Sequence, residues 1–290
     1  DALAAISELR RLSSGDKPFF LALGFHKPHL PFNAPKQYWD MYDREKLPLA
    51  ENPFEPDGVT EFSLTNYGEL RNYFGIPEKG DIPEDIARKL IHGYCACVSY
   101  MDAQLGKVMA ELESLGLKDS TSVVLWGDHG WKLGEHNSWS KHTNFEIDTR
   151  APLLAATPGM NGAGQSTDAL VEFVDIYPTL CDLCGLDIPG HCEGTSFAPL
   201  LDKPDLAWKP AAFSQYPRRN AMGYAMRTDR YRYIEWLDRT NGTCLARELY
   251  DHSKDAQENT NIAETADASL LEELSNQLHK GWQASVPRPR

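Results

Sequence analysis

Apolar residues over residues 1–201 switch repeatedly between a helical and a strand-like spacing. Three stretches carry apolar residues at steps of three and four, which predicts helices with a buried face. Between them, short apolar and β-branched runs predict buried strands. Because strands that alternate with helices are typical of a layered sheet, we predict an α/β fold with a mixed, mainly parallel sheet between helices. The predicted helices are residues 1–14, 82–115 and 171–184, and the predicted strands are Lys17–Phe25, Val123–Trp126 and Arg150–Gly159.

The pattern changes after about Leu201, where apolar and polar residues alternate in shorter runs. Two such runs, Ala221–Thr228 and Tyr231–Trp236, flank Asp229-Arg230 and predict a β-hairpin. A further short strand is predicted at Glu248–Asp251, and a terminal amphipathic helix from Leu270 to Trp282. We therefore predict two domains, 1–201 and 202–290, the second a smaller antiparallel sheet with a helix.

Composition narrows the class of partner. The chain has 290 residues, 41% of them hydrophobic and 24% charged, which is usual for a globular protein. Its net charge of −13 argues against nucleic acid as a partner. The longest apolar runs are far too short to span a bilayer. Because the chain opens on Asp1 inside a helical pattern, we expect a piece of a longer protein, and the cellular location stays open.

Six cysteines and one sequon are candidate sites of modification or metal binding. Cys181 and Cys184, with Cys192 nearby, have a spacing that could suit zinc. They lie at the end of an apolar helical run, however, and no second pair stands at zinc-finger spacing. We expect buried structural thiols. Asn241-Gly242-Thr243 matches the glycosylation sequon, but its place after a hairpin strand favours a turn.

The strongest candidate chemistry follows the strand Val123–Trp126. That strand runs directly into Gly127-Asp128-His129-Gly130, and ligands in α/β proteins bind at the carboxyl ends of strands. A carboxylate beside an imidazole can hold a metal ion. The flanking glycines allow the backbone to turn and to approach the site closely. The simpler alternative is a polar turn that caps the strand, with Asp128 as an N-cap.

Two basic stretches accompany this turn. Lys141 follows closely, within Trp139–Phe145, and the upstream strand Lys17–Phe25 ends in His26-Lys27-Pro28-His29. An acidic and a cationic strand end together could enclose an anionic ester, so we expect His26 and Lys141 to converge on Asp128. Taken singly, His26 could be a loop histidine and Lys141 a solvated surface lysine. The segment from His26 to about Pro83 shows little periodicity, and loops of that length are usually functional.

Four strings stand out in the sequence: Gly24–Phe32, Val98–Asp102, Asp128–His136 with Lys141, and Gly223–Thr228. Together they resemble the sulfatases, a branch of the alkaline-phosphatase-like superfamily. The first and third strings are specific to that family, whereas Asp-His-Gly alone is not. Within the family the chain is most similar to the enzymes that act on the 2-sulfate of uronate residues. The resemblance extends from about Pro18 to Leu278 and includes Glu248-Leu249-Tyr250-Asp251 followed by Asn261.

The resemblance implies an alkaline-phosphatase-like sandwich and an activity. The chain would belong to a sulfuric ester hydrolase that removes 2-O-sulfate from sulfated glycosaminoglycan, in the periplasm, outside the cell or, in an animal, in the lysosome. The implied roles of individual residues are as follows: Asp128 and His129 bind one Ca²⁺, His26 and Lys141 contact the sulfate, and Trp131, His136 and His29 line the sugar-binding side.

The chain departs from the family pattern in two places. The family's nucleophile is a formylglycine made in a Cys/Ser-x-Pro-x-Arg motif, which is missing here. Ser285-Val286-Pro287-Arg288-Pro289 comes close but has proline where arginine is required. The paired aspartates that supply other calcium ligands are also missing, so we expect both features in a missing N-terminal part. Two alternatives stay open: a metal-dependent phosphoesterase or phosphonate hydrolase of the same superfamily, and a non-catalytic glycan-binding remnant.

Overall fold

The computed structural model describes residues 1–287, which divide into two compact units. Unit 1 comprises Asp1–Glu51 and Tyr67–Thr121, and unit 2 comprises Asn52–Asn66 and the residues from Ser122 onward. The helices are α1 Ala2–Ser13, α2 Lys36–Trp39, α3 Gly68–Arg71, α4 Glu84–Ser114, α5 Glu146–Thr149, α6 Ile176–Leu183, α7 Ala198–Asp202 and α8 Ala268–Lys280. The strands are β1 Val123–Trp126, β2 Lys132–Leu133, β3 Trp139–Ser140, β4 Leu153–Ala156, β5 Ala211–Arg218, β6 Ala221–Thr228, β7 Tyr231–Asp238 and β8 Cys244–Asp251. Short 3-10 turns lie at Arg44–Lys46, Lys118–Ser120, Glu135–Asn137, Phe173–Asp175 and Trp282–Ser285.

Unit 1 is built on the long helix α4, which confirms the helix predicted over residues 82–115. Pro83 precedes its first turn, and two acidic residues in that turn suit the positive end of the helix dipole. Gly116, with φ 71°, follows its last turn as a helix-ending glycine does. The predicted first helix is also confirmed as α1, which packs on α4 and holds it through an ion pair from Arg10 to Glu111 at 2.7 Å.

The strand predicted at Lys17–Phe25 is wrong as a hydrogen-bonded element. Within residues 1–287 this segment belongs to no ladder. Its residues from Phe19 to His26 alternate between partly buried and exposed, and Phe20 is 79% exposed. The segment therefore alternates with a period of two, as an extended chain does, but it is not the buried strand that the apolar run predicted. A strand also needs a neighbour to satisfy its backbone groups, and apolar spacing does not encode that neighbour.

Unit 2 contains the predicted strands β1 and β4, but the two pair antiparallel. Val123 lies opposite Ala156, and Trp126 lies opposite Leu153. The mainly parallel sheet is thus not found among the ladders of the described residues, whose one parallel pairing is the isolated bridge Asp57–Thr260. The spacing of apolar residues does not record whether two strands run parallel or antiparallel, so it did not decide the direction of this pair. One face of the pair packs on the core around Ile176, Phe197 and Leu200.

The C-terminal antiparallel sheet with its helix is confirmed, in the order β5-β6-β7-β8. Strand β5 was not predicted, and it pairs with β6 along its whole length. Strand β7 is almost wholly buried because both faces of the sheet are covered. Met226, Tyr233 and Leu249 meet Leu274 and Leu278 of α8 on one face. The other face packs around Phe145, Ile234, Trp236 and Tyr250. The boundary at residue 201 remains a prediction.

Further sequence expectations concern cysteines, the sequon and membrane spans. All six cysteines are free thiols. Cys181 is buried as expected, but Cys184 is exposed because it caps the end of α6.

Asn241-Gly242 forms the predicted turn, where Gly242 has φ 74° and Asn241 Oδ1 accepts from the Thr243 amide at 2.8 Å. Of the helices described, none has the length and apolar character needed to cross a bilayer. Arg288 and Pro289, at the end of the motif-like string, lie outside the described residues.

Candidate functional site

The turn after β1 is fixed by backbone hydrogen bonds to the chain around α5 and β4. The Gly127 amide donates to the Pro152 carbonyl at 3.0 Å, and the Gly130 amide donates to the Asp148 carbonyl at 2.8 Å. Glycine is required at position 130, since a Cβ there would lie 1.8 Å from the Ile147 carbonyl oxygen. This close approach holds the two residues between the glycines at the end of the strand.

Asp128 and His129 offer two ligand atoms side by side. Asp128 Oδ2 lies 3.6 Å from His129 Nε2, and the carboxylate is 86% exposed. His129 Nδ1 lies 2.8 Å from the Gly130 carbonyl oxygen, to which a ring N–H can donate. In that tautomer Nε2 presents a lone pair beside the carboxylate oxygen, which fits a bound cation. The assignment of both residues as calcium ligands remains a prediction.

Trp131 and Lys141 extend this pair into a row. The His129 and Trp131 rings are 6.1 Å apart and inclined by only 28°. Lys141 Nζ lies 4.7 Å from the centre of the Trp131 ring, a cation–π distance. Four of the residues predicted from the sequence therefore form one continuous row in unit 2, and we call Asp128, His129, Trp131 and Lys141 the site row.

The backbone around Lys141 is held in an uncommon conformation. Ser140 and His142, on either side of Lys141, have φ 82° and 83°. Non-glycine residues in this region cost on the order of 1 kcal/mol or more each, and they persist where the surroundings over-determine them. The hairpin β2–β3 precedes this segment and pairs Lys132 with Ser140. Such strain is typical of functional loops.

A buried ion pair, which the sequence analysis missed, supports the same loop. Lys132 Nζ donates to Asp148 Oδ2 at 2.5 Å and to Thr143 Oγ1 at 2.8 Å, and both charged side chains are buried. The Thr143 amide donates to the same carboxylate at 2.8 Å. Burial lowers the pKa of Lys132, and the adjacent Asp148 opposes that shift. The signal in the sequence was a lysine between two apolar residues, Trp131 and Leu133.

His136 lies in the interior, which does not agree with its predicted place on the sugar-binding side. The residue is 3% exposed. Its Nε2 lies 2.7 Å from the Gln257 carbonyl oxygen, and its ring packs 4.3 Å from Phe145. Within the described residues its buried Nδ1 has no hydrogen-bond partner. Burial lowers the pKa of His136, so the neutral form is favoured.

The upstream basic string lies in unit 1 and forms its own cluster. The His26 and His29 rings are 5.2 Å apart. His29 Nε2 lies 3.0 Å from Glu69 Oε1, and its Nδ1 lies 2.8 Å from the Leu30 carbonyl oxygen. His26 is exposed, whereas His29 is partly buried. The sulfate contact of His26 and the sugar contact of His29 therefore remain predictions.

A second group of possible metal ligands comprises Glu146, His252 and Glu258. The Arg232 guanidinium already binds both carboxylates of this group. Its Nε donates to Glu258 at 2.6 Å, and its Nη2 donates to Glu146. His252 Nε2 lies 2.8 Å from the same Glu258 oxygen. A cationic side chain therefore balances these two carboxylates, and we interpret the group as a structural network rather than as a metal site.

Comparisons with known proteins identify the family of the chain. The sulfatase family profile matches residues 2–186, and the profile "N-sulphoglucosamine sulphohydrolase, C-terminal" matches residues 134–284. The chain is 34% identical over 300 residues to iduronate 2-sulfatase of Mus musculus, covering 80% of this chain and 54% of that protein. It thus spans about half the length of the curated relatives it matches.

Solved structures confirm the predicted alkaline-phosphatase-like α/β fold. The phosphonate monoester hydrolase of Silicibacter pomeroyi superimposes with a TM-score of 0.81 at 25% identity, over 99% of this chain and 60% of that chain. A complex described as holding its substrate D-glucosamine-2-N,6-O-disulfate gives a TM-score of 0.80 at 20% identity, over 97% and 69%. The fold, the profiles and the relatives lead to one conclusion: the chain belongs to the sulfatase family.

Proposed function

We propose that this chain forms part of a sulfuric ester hydrolase that removes 2-O-sulfate from uronate residues of a sulfated glycosaminoglycan. The observation that carries the proposal is the site row, which places a carboxylate, an imidazole, an indole and an ammonium group side by side. The substrate class rests on the similarity to iduronate 2-sulfatase, whose name states its substrate. The proposal extends that substrate to a chain that covers half of the relative.

The predicted site residues of this chain have separate roles in the proposed reaction. Lys141 brings a positive charge against the Trp131 face, where it can stabilise negative charge that develops on a sulfate oxygen. Trp131 offers an apolar face to a sugar ring. Asp128 and His129 would hold one Ca²⁺ ion, which would supply further positive charge to the sulfate when bound. His26 would contact the same sulfate, and the formylglycine nucleophile would come from outside these residues.

A phosphonate or phosphate ester hydrolase is the second candidate. The superposition with phosphonate monoester hydrolase favours it, because its TM-score of 0.81 equals, within 0.01, that of the complex with the disulfated glucosamine, which is 0.80. Two-zinc phosphatases need further His and Asp ligands around such a turn. Two basic side chains, His26 and Lys141, would suit one metal ion and a sulfate better. A non-catalytic glycan-binding role would apply if the complete protein also lacks the nucleophile motif.

The test is ester hydrolysis by the complete gene product. We expect sulfate release from a 2-O-sulfated iduronate disaccharide, and much slower hydrolysis of a phenyl phosphonate monoester. Lys141→Ala should lower kcat by about 10²–10³-fold, as removal of a transition-state donor does. Lys254→Ala, at an exposed position, is the matched control and should keep wild-type activity. Preferential hydrolysis of the phosphonate ester would favour the second candidate, and disaccharide binding without hydrolysis would favour the third.

A further inference from the structure

The site row continues beyond Lys141 onto strand β5. His142 follows Lys141, and its ring lies 5.7 Å from the Tyr216 ring at an angle of 28°. The Arg218 guanidinium carbon lies 4.9 Å from the centre of the same Tyr216 ring. Two aromatic rings and a guanidinium group therefore border the loop that carries Lys141, and all of them belong to unit 2.

Arg218 is held in place by backbone carbonyl groups. Its Nε donates to the Phe62 carbonyl at 3.2 Å, and its Nη2 donates to the His142 carbonyl at 2.6 Å. The second bond ties the guanidinium directly to the residue that follows Lys141. Because a guanidinium is planar and these two bonds fix its plane, its position relative to the Lys141 loop is set before any ligand arrives.

Arg218 differs from the other arginines of this sheet in having no paired acid. Arg227, Arg230 and Arg232 each form an ion pair with a carboxylate. In the part of the chain that the structure describes, Arg218 forms none. Asp148 acts on it only at longer range and is already paired with Lys132.

The energetics favour an external anion at this position. Burial lowers the pKa of Arg218, which shows that its charge is partly desolvated. A guanidinium nevertheless stays protonated at all accessible pH values, so it cannot relieve this cost by losing a proton. An anion supplied by a ligand would compensate the charge, and a carboxylate matches the planar guanidinium with two parallel hydrogen bonds.

We propose that Arg218 binds the carboxylate of the uronate substrate, with His142 and Tyr216 flanking it, as a specificity-determining contact next to the sulfate site. This inference rests on the proposed uronate sulfatase activity and names the second anionic group that the site recognises. A sulfated sugar without a carboxylate would use Lys141 but not Arg218. The carboxylate would thus decide which sulfated sugars are preferred.

The experiment compares three substrates in the complete protein. They are the 2-O-sulfated iduronate disaccharide, the same disaccharide with its carboxyl group reduced to an alcohol, and 4-nitrophenyl sulfate. Arg218→Gln should lower kcat/KM for the first by about 10- to 100-fold, the range expected for a charge-assisted hydrogen bond. Its effect on the other two should be at least ten times smaller. Arg218→Lys should recover part of the loss, because it restores the charge without the planar fork.

Arg219→Gln is the matched control. Arg219 is the next residue, is exposed and pairs with Glu61 at 2.8 Å, so its loss should change kcat/KM for all three substrates to the same small extent. Equal losses by Arg218→Gln on all three would make Arg218 a support of the loop and overturn the proposal. No loss on any of them would also overturn it.

Direct binding separates this inference from the proposed activity. If the wild-type protein hydrolyses none of the sulfates, the proposed function fails. Calorimetry with the unsulfated iduronate disaccharide then still decides the role of Arg218. Weaker binding by Arg218→Gln than by Arg219→Gln would support a carboxylate site, and equal binding would refute it.

Discussion

Lys132 lies in an environment that is uncommon for a lysine. A lysine in a charged loop is normally solvated, but this one is almost fully buried and donates to Asp148 and Thr143. Both partners lie close in sequence to Lys141, one before α5 and one within it. The pair therefore braces the loop that carries the predicted sulfate contact.

We expect Lys132→Met to destabilise the protein by about 3–5 kcal/mol, because it leaves the Asp148 carboxylate buried and uncompensated. Adding Asp148→Asn should recover part of that loss, since the remaining partner is then neutral. Urea unfolding followed by tryptophan fluorescence measures both variants, with the exposed Lys107→Met as the control. If Lys132→Met is as stable as the wild type, the ion pair makes no net contribution to the free energy of unfolding.

His136 predicts a pH dependence of stability. Burial lowers its pKa below the ordinary value of 6.5, so the folded protein binds less proton there than the unfolded chain does. Stability from this residue is therefore complete above about pH 6.5 and falls as the pH drops below it, by at most about 1.4 kcal/mol per pH unit.

His136→Gln should flatten that slope over about two pH units around the free histidine value, roughly from pH 7.5 to pH 5.5, whatever it does to stability at neutral pH. The exposed His191→Gln should keep the wild-type slope. Urea unfolding midpoints at a series of pH values measure the pH dependence of stability for the wild type and both variants. If His136→Gln and wild type lose stability in parallel as the pH falls, His136 is not the titrating group.

At the scale of elements, the turn from β1 to β2 depends on one close backbone contact. Gly130→Ala would place a Cβ 1.8 Å from the Ile147 carbonyl, which cannot move without disturbing α5. Gly127→Ala, in the same turn, meets nothing closer than 3.5 Å. We expect the first substitution to cost about 1–3 kcal/mol or more and the second less than about 1 kcal/mol.

Thermal unfolding of the two alanine variants tests this difference, and hydrolysis of the sulfated disaccharide tests its consequence for the site row. Because Gly130 follows Asp128 and His129, its variant should lose activity together with stability. Equal melting temperatures for Gly127→Ala and Gly130→Ala would show that the turn can relax around the added carbon atom.

At the scale of the whole molecule, these 290 residues carry the site row without the motif that generates the nucleophile. We expect no sulfate release by this chain expressed alone, because formylglycine attacks sulfur as a covalent nucleophile. Calcium affinity should also be weak, since Ca²⁺ normally takes about 6–8 oxygen ligands and Asp128 with His129 supplies a small part of them. A sulfate-release assay beside the complete gene product tests both points, and turnover by the short chain would contradict them.

Local elements could be predicted from the sequence because their spacing is a local property. The spacing of apolar residues located α1, α4, α6, α8 and the β6–β7 hairpin, because amphipathic periods of 3.6 and 2 are local properties. The strings around Asp128 and Lys141 indicated the sulfatase family, because they match the sequence pattern of that family. Trp131 also came from a string, and the structure brings it between His129 and Lys141.

Only the tertiary structure decided which strands pair, in which direction, and which polar residues are buried. The antiparallel pairing of β1 with β4 joins residues that are distant in sequence, such as Val123 and Ala156. Among residues 1–287, Lys17–Phe25 pairs with no strand, which its own sequence could not reveal. Lys132, His136 and Lys141 are all buried, whereas Trp131, in the same string as the first two, is only partly buried and contacts Lys141. Arg218 lies next to the loop that carries Lys141 only because of folding, since its hydrogen bonds to Phe62 and His142 span 156 and 76 residues of chain. Spacing along the chain records local periodicity, whereas burial and pairing arise from packing between distant segments.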